Sequence, residues 1–356
     1  MGELLLSHLD HWLSAVPGLE WLHFEHTGLS CFKFLRNLPV RPALLRAAVH
    51  FWDPDVHVFR FQGQELCPTV EEFSAYLGHP FNGEVIIPSL HGNMRGLLVE
   101  FCGIPPSRAR NLLFSDTLNI TRLMRMFSLA PGNEGRPWVN NNYHRHALLI
   151  CLLARYLLVD PSGLVYPAII GVADDINDGG NPLPLILAET LMGLDKIWLC
   201  EKLNLLEDVD WNWKYTPQRI STRDLRHPDL PEHMWRETMA DIGIHGIVWR
   251  GCGLDIEYSA VQTAGFYRMV IPGMKSFTFY IPMRTLRQLG VNQEVPADDS
   301  VIFELPGFNV CTLQRFQLAW GDRHLYHQTL NYYSTMMDPL YESWLRMDVR
   351  RRHRTY

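Results

Sequence analysis

Aspartates at the DDxxD spacing are the first residues of this chain whose types and spacing could do chemistry. Asp174, Asp175 and Asp178 lie where a helical pattern ends before a glycine pair. Carboxylates at positions i and i+4 share one helix face, which could hold Mg²⁺ and a diphosphate. Such a site needs a second acidic motif on a facing helix, and the sequence shows none. We therefore expect a solvated helix end that binds no metal.

Two histidine pairs, His23 with His26 and His324 with His327, are spaced one helical turn apart. Zinc would need a third ligand and polar groups that orient the imidazoles, and the sequence marks neither. We expect surface or hydrogen-bonded histidines.

Other candidates for catalysis are isolated. Cys252 stands between two glycines, which is typical of a tight turn, and Lys275 lacks the surroundings of a cofactor lysine. The sequence has neither a dinucleotide-binding glycine motif nor a P-loop. We expect no cofactor and no enzymatic activity. An enzyme whose site combines scattered residues such as Asp174, Asp175 and His324 stays open as an alternative.

A basic cluster closes the sequence, and we treat residues 346–356 as a C-terminal tail. Its members are Arg346, Arg350, Arg351, Arg352 and Arg354. Three roles stay open for these arginines: a nuclear import signal, an arm that contacts phosphate, or a solvated helix end.

The composition is that of a folded protein with a large core. Of the 356 residues, 47% are hydrophobic and 20% are charged, and the net charge of −6 disfavours non-specific binding to nucleic acid. Arginines number 27 and lysines five, which favours internal ion pairs or partner contacts.

The seven cysteines are scattered, without a CxxC pair, and Glu3 stands where a signal peptide needs positive charge. The longest apolar run, residues 147–159, contains Arg155 and is too short to span a bilayer. These features predict reduced cysteines in a soluble intracellular protein without a membrane segment.

Hydrophobic periodicity predicts a mainly α fold, one large helical domain over residues 1–345 with a few short strands and hairpins. Residues 205–231 are polar and mark a possible subdomain border. The predicted helices are 3–15, 19–38, 42–51, 93–102, one or two within 107–128, 144–159, 166–176, 182–203, 231–241, one from Pro282, 313–330 and 338–349. The predicted strands are 244–249 and 277–281.

Residues 51–81 form the stretch around which the fold is organised. Gln62-Gly63 predicts a hairpin turn, and Thr69 predicts the cap of a helix that begins at Val70. The aromatic residues Trp52, Phe59, Phe61 and Phe73 are expected to be buried together. If so, Trp52→Ala would cost about 3–5 kcal/mol of stability.

Four stretches in order resemble one known family. They are WDP with VFRF and ELCPTVEEFSAYLG, then HALLICLLARYLLVDPSG, NPLPLILAETLMGLD and IPMRTLRQLGVNQEVPADD. Together they resemble the plant mobile domain, the transposon-derived family labelled aminotransferase-like, in its branch of uncharacterised plant proteins. The resemblance implies a mainly helical fold and a nuclear role in transposon and gene silencing or genome stability. It also implies a protein partner, with a phosphatase-like protein as one candidate, and supplies no catalytic residues.

Large amphipathic residues in two segments are the candidates for partner binding: Trp211, Trp213, Trp235, Tyr332, Tyr333 and Trp344. The simpler interpretation is that these side chains anchor long loops to the hydrophobic core. The leading prediction is a non-enzymatic protein-interaction module acting in the nucleus, with the cytoplasm as the alternative location. A nucleic-acid-binding accessory protein of a transposon is the other alternative, although the net charge does not support it.

Overall fold

The computed structural model describes residues 9, 12, 42–77, 84–89, 92–114, 116–127, 141–154, 163–193, 203, 230–243, 246, 247, 249, 258–262, 268–289, 292–296, 305–322, 324–327 and 337–353. Over these residues the fold is mainly α with small antiparallel sheets. Of the predicted helix at 3–15 the structure describes only Leu9 and Trp12, which are both helical and buried. The predicted helix at 19–38 and nearly all of the possible border at 205–231 lie outside the described residues.

Eleven α-helices fall within the described ranges. They are α1 (Pro42–Val49), α2 (Val70–Leu77), α3 (Met94–Cys102), α4 (Pro106–Leu112), α5 (Ile120–Phe127), α6 (Asn141–Leu152), α7 (Ile169–Asn177), α8 (Leu183–Gly193), α9 (Glu232–Ala240), α10 (Val310–Gly321) and α11 (Pro339–His353).

The strands of the described part are short. They are β1 (Trp52–Asp53), β2 (Val58–Phe61), β3 (Gln64–Leu66), β4 (Leu113–Phe114), β5 (Thr117–Asn119), β6 (Leu164–Val165), β7 (Tyr258–Gln262), β8 (Met269–Pro272), β9 (Phe277–Tyr280) and β10 (His324–His327). They form the sheets β1-β2-β3, β4-β5-β6, β7-β10 and β8-β9.

The β2–β3 hairpin confirms the turn predicted at Gln62-Gly63. Phe61 pairs with Gln64 across the turn, and both turn residues have positive φ, 44° at Gln62 and 75° at Gly63. Two left-handed residues in succession give the twist that a two-residue hairpin needs. The hairpin therefore holds its register through local sequence alone.

Side-chain caps fix the starts of α2 and α3, and the cap at Thr69 was predicted. The Thr69 hydroxyl accepts a hydrogen bond from the Glu72 amide at 3.2 Å, where α2 begins. At α3 the Asn93 side chain accepts one from the Gly96 amide at 2.9 Å, and Gly103 ends the helix with φ at 61°. Each cap satisfies backbone groups that a helix end leaves open.

The core is built around α6. Residues 147–154 are buried without interruption, and α6 packs against α3, α5 and α7. This confirms the central apolar helix, which begins at Asn141 rather than at residue 144. Three cysteines, Cys67, Cys102 and Cys151, are buried thiols, whereas Cys311 is exposed. Among the described helices, none combines the length and apolar character needed to cross a membrane.

Aromatic packing around the hairpin agrees in part with the prediction. Phe59, Phe61 and Phe73 are at most 5% exposed, but Trp52 is only partly buried. The Trp52 ring lies 4.8 Å from the Phe59 ring and stacks on the His57 imidazole at 5.8 Å. Trp52 therefore packs on the aromatic residues of the hairpin but remains partly exposed.

Several predicted elements were wrong. Helix α10 ends at Gly321 rather than at residue 330, and His324–His327 is strand β10, paired with β7. Residues 282–289 form two 3₁₀ turns, Pro282–Arg284 and Leu286–Leu289, in place of one helix. Residues 246, 247 and 249 are not in a strand. Strands β4 and β5 were not predicted, because each is only two or three residues long.

Candidate functional site

A buried polar cluster joins the hairpin to the 3₁₀ segment 282–289. The Cys67 amide donates to Gln288 Oε1 at 2.8 Å, and Gln288 Nε2 donates back to the Cys67 carbonyl at 2.7 Å. The same nitrogen lies 3.2 Å from a carboxylate oxygen of the fully buried Glu72. A glutamine side chain thus pairs with the backbone at Cys67 as a neighbouring strand would. The contact joins two of the four stretches that carry the family resemblance.

Arg284 lies at the centre of this cluster, between two carboxylates. Its Nη1 donates to Glu65 at 2.7 Å, and its Nη2 donates to Asp348 of α11 at 3.0 Å. The guanidinium carbon also lies 4.7 Å from the centre of the Trp344 ring. Arg284 is 1% exposed, so both ion pairs are shielded from water. A planar guanidinium can bind two carboxylates at once, which a lysine could not do in the same geometry.

Arg60 and Tyr341 extend the same cluster. Arg60 contacts Glu65 at 3.1 Å, Asp348 at 3.3 Å and Asp53 at 2.5 Å. The Tyr341 hydroxyl donates to the second oxygen of Glu65 at 3.0 Å. The cluster therefore links the hairpin, the 3₁₀ segment and α11, and it contains the internal arginine ion pairs that the arginine-rich composition favours.

Burial and the neighbouring charges shift the pKa of two groups in the cluster, Arg284 and Tyr341. Burial opposes the charged form of Arg284, but the Glu65 and Asp348 carboxylates outweigh it and raise the pKa of the guanidinium. Burial and the Glu65 carboxylate raise the pKa of Tyr341, which stays a neutral hydrogen-bond donor. Fixed charges that satisfy one another hold α11 in place.

Helix α11 has a buried inner face and an exposed outer face. Tyr341, Leu345 and Asp348 are between 2% and 4% exposed. On the other side Leu340 is 68% exposed and Met347 63% exposed. These two residues are seven positions apart, so they lie on one stripe of the helix with the partly buried Trp344 between them. We call Leu340, Trp344 and Met347, with the exposed Arg346 and Arg350 beside them, the α11 outer face.

The structure brings together three of the residues proposed for partner binding or the basic tail, Trp344, Arg346 and Arg350. The backbone of 351–353 continues α11, so Arg346, Arg350, Arg351 and Arg352 belong to its last turns. The tail predicted at 346–356 stays a prediction. Arg346 contacts Glu342 one turn earlier on the exposed surface. Arg351 and Arg352 belong to the helical backbone, and Arg354 lies outside the described residues.

Trp235 is corrected as a candidate for partner binding. It is 1% exposed and forms the buried face of α9 with Met239, one helical turn away. Helix α9 packs against α1, so the indole fills an interior position. The other candidates, Trp211, Trp213, Tyr332 and Tyr333, lie outside the described residues. Sequence reasoning missed Leu340 and Met347, although their spacing on a polar helix was a usable signal.

The histidines and the aspartates considered for metal chemistry lie in different elements of the fold. His324 and His327 belong to strand β10, so they are not one helical turn apart as the sequence suggested, and His23 and His26 lie outside the described residues. Asp174 and Asp175 lie on α7, and Asp178 follows it. Within the described ranges, no three His, Cys, Asp or Glu residues are grouped to hold a metal ion. That the aspartates bind no metal stays a prediction.

A cleft of about 690 Å³ opens beside the start of α11. Its lining comes from the hairpin, from the residues after α9 and from the segment 337–342. The lining residues are Gln62, Gln64, Asp241, Ile242, Gly243, Gly246, Met337 and Glu342.

Comparison with protein families identifies one partial match. Residues 30–95 match a family described as a domain of unknown function, DUF7745. The matched segment includes α1, the β1-β2-β3 sheet and α2, and therefore Arg60 and Glu65 of the buried cluster. No curated protein and no solved structure matches the chain. The resemblance to the plant mobile domain stays a prediction.

Proposed function

We propose that this chain is a non-enzymatic protein-interaction module and that the α11 outer face contacts its partner. The observation that carries the proposal is the exposure of Leu340 and Met347 on a helix whose opposite face is held by buried ion pairs. The ion pairs fix the orientation of α11, so the apolar side chains point to solvent in the folded protein. Exposed apolar residues next to a tryptophan side chain are typical of surfaces that contact another protein.

The chemistry of the α11 outer face defines the partner. Leu340 and Met347 favour apolar side chains, and the exposed Arg346 and Arg350 favour carboxylates around them. Trp344 supplies a large amphipathic ring backed by Arg284, and residues of this type carry much of the energy of protein interfaces. We therefore propose a protein partner with an apolar patch bordered by acidic residues.

A role in the nucleus is part of the proposal and is supported by the resemblance to the plant mobile domain and by the arginines of α11. In that setting the module would act in transposon or gene silencing, or in genome stability. A nuclear import signal needs accessible basic residues, and Arg346 and Arg350 are exposed. Their replacement by glutamine in a fluorescent fusion should shift the protein towards the cytoplasm. An unchanged distribution would remove these arginines from the import role.

Variants that place a charge on the apolar stripe test the contact surface. The full chain would be used for affinity purification from plant nuclei, and each partner identified would then be tested again as a purified protein. Leu340→Glu with Met347→Glu should abolish its binding. Leu318→Glu is the matched control, because Leu318 is 72% exposed on α10 and lies outside the α11 outer face.

Three results would contradict the proposal. The first is loss of binding in the Leu318→Glu control, and the second is full binding by the double variant. The third is an interaction that disappears on nuclease treatment, which would favour the nucleic-acid-binding alternative. Because exposed substitutions away from structural features change stability little, the melting temperature should be similar in all variants.

A further inference from the structure

The cleft beside α11 has walls from three distant parts of the chain. Gln62 and Gln64 come from the hairpin, and Met337 and Glu342 come from the segment that begins α11. The remaining wall comes from four residues that follow α9: Asp241, Ile242, Gly243 and Gly246. Its volume is about 690 Å³, and it is an open cleft on the surface rather than an enclosed cavity.

The lining combines negative charge with apolar surface. Asp241 and Glu342 supply two exposed carboxylates, and none of the eight lining residues is a lysine, arginine or histidine. Ile242, which is 9% exposed, and the partly buried Met337 supply the apolar contacts. Glu342 also contacts Arg346, but both side chains are more than half exposed, and a pair of this kind contributes little. A cationic ligand could therefore replace Arg346 at low cost.

Two glutamines in the cleft are held in place. The Gln62 Nε2 donates to the Ala240 carbonyl at 2.8 Å, which fixes its amide against the end of α9. The Gln64 Oε1 accepts from Arg287 Nη1 at 2.5 Å, and the Arg287 guanidinium lies 3.7 Å from the centre of the Trp249 ring. Fixed amides can bind a peptide backbone without a large loss of side-chain entropy.

We propose that this cleft binds an extended peptide segment that carries an arginine or lysine next to a small apolar residue. Asp241 and Glu342 bind the cationic group, and Ile242 and Met337 contact the apolar residue. The site adjoins the α11 outer face through the Glu342–Arg346 pair, but its lining residues do not include Leu340, Trp344 or Met347. Because Met337 and Glu342 belong to the α11 side, the ligand stabilises the docked position of α11 when it binds.

Methyl NMR of the full chain tests this proposal. The probe is the peptide acetyl-Gly-Arg-Ala-Gly-amide, and the control probe carries neutral citrulline in place of arginine. The methyl signals of Met337 and Ile242 should shift saturably with the arginine peptide and much less with the citrulline peptide. The double variant Asp241→Asn with Glu342→Gln should weaken binding at least several-fold. The control variant Glu237→Gln, which removes an exposed carboxylate of α9 outside the cleft, should leave binding unchanged.

Equal shifts with both peptides, no saturable shift, or equal weakening by Glu237→Gln would overturn the proposal. Shifts that follow protein concentration without peptide would assign the cleft to contact with a second copy of the chain and would also overturn it. The α11 outer face would be untouched by these results, because its test uses other residues.

Discussion

The Arg284 guanidinium and the Asp348 carboxylate lie 3.0 Å apart in the interior, although 64 positions separate the two residues in the chain. Their contact holds α11 against the 3₁₀ segment 282–289, which is hydrogen-bonded to Cys67 at the end of the hairpin. Because both groups are shielded from water, each depends on the other for its charge to be tolerated inside the protein.

Removal of the Asp348 charge tests the strength of this contact. Asp348→Asn keeps the shape of the side chain but leaves Arg284 and Arg60 with one carboxylate fewer. We expect a loss of about 3–5 kcal/mol in the free energy of unfolding, as for other broken buried ion pairs. Urea unfolding measures it, with Glu342→Gln as the control, since Glu342 is an exposed carboxylate on the same helix. Equal midpoints for the two variants would show that the cluster does not stabilise the fold.

Trp52 and Phe59 should differ in their contribution to stability. Phe59 is 1% exposed, so Phe59→Ala should cost about 3–5 kcal/mol, the usual loss for a buried aromatic side chain. Trp52 is only partly buried, so Trp52→Ala should cost less than Phe59→Ala and less than the sequence alone suggested. Thermal unfolding of the two variants ranks them. A larger loss for Trp52 would contradict the packing described for the hairpin.

Alanine substitutions at Gly103 and Gly63 distinguish the cost of backbone strain from the cost of steric overlap. Both have positive φ, so alanine at either position costs roughly 1 kcal/mol through the backbone. A Cβ at Gly103 would also overlap the Tyr143 ring, whereas a Cβ at Gly63 would meet nothing within 4 Å. Gly103→Ala should therefore lower the melting temperature clearly more than Gly63→Ala. Similar melting temperatures for the two variants would show that the Tyr143 ring does not lie against position 103.

Asp175 should make stability depend on pH. Partial desolvation of this exposed side chain, followed by repulsion from Asp174 and Asp178, raises the pKa of Asp175 to about 6. The unfolded chain has the ordinary pKa of about 3.9, so the folded state binds the proton more tightly. The free energy of unfolding should then fall as the pH rises from about 4 to about 6. Asp175→Asn should remove this part of the decline in urea titrations, and an identical pH profile would refute the assignment.

The same aspartate provides a test for metal binding. If DDxxD held a divalent cation, Mg²⁺ would stabilise the ionised carboxylates and lower the pKa of Asp175. We expect the pKa measured by carboxyl NMR to be the same with and without Mg²⁺, and calorimetry with Mg²⁺ to be flat. Saturable heat that is lost in Asp174→Ala would revive the enzyme alternative.

Local signals were sufficient to predict the hairpin and the caps. The turn at Gln62-Gly63 and the caps at Thr69 and Asn93 each depend on residues within four positions, so the sequence contains all of the information. Strand β10 is different, because its hydrogen bonds come from β7, more than sixty positions away. A short segment that pairs with a distant strand has no distinctive pattern of its own.

The candidate site was predictable only in part. Trp344, Arg346 and Arg350 were recognisable by residue type, and they lie on one helix. The buried cluster was not recognisable, because Glu65 and Asp348 look like surface carboxylates until Arg284 is placed between them. Trp235 was misplaced for the opposite reason, since residue type alone cannot distinguish an interface tryptophan from a core one.

The hydrogen bond between Tyr341 and Glu65 spans 276 positions, and this separation constrains the order of events during synthesis. The hairpin leaves the ribosome long before α11 exists, so Arg60 and Glu65 can pair with each other early, but the Glu65 oxygen that binds Tyr341 must remain hydrated until that helix arrives. A nascent chain stalled before residue 339 would therefore keep ionised groups at a site that the folded protein buries. Domains generally acquire stable packing as complete units during translation. Chains cut short before α11 should thus unfold more easily than the full chain, because Glu65 then lacks the Tyr341 hydroxyl and Arg284 lacks the Asp348 carboxylate.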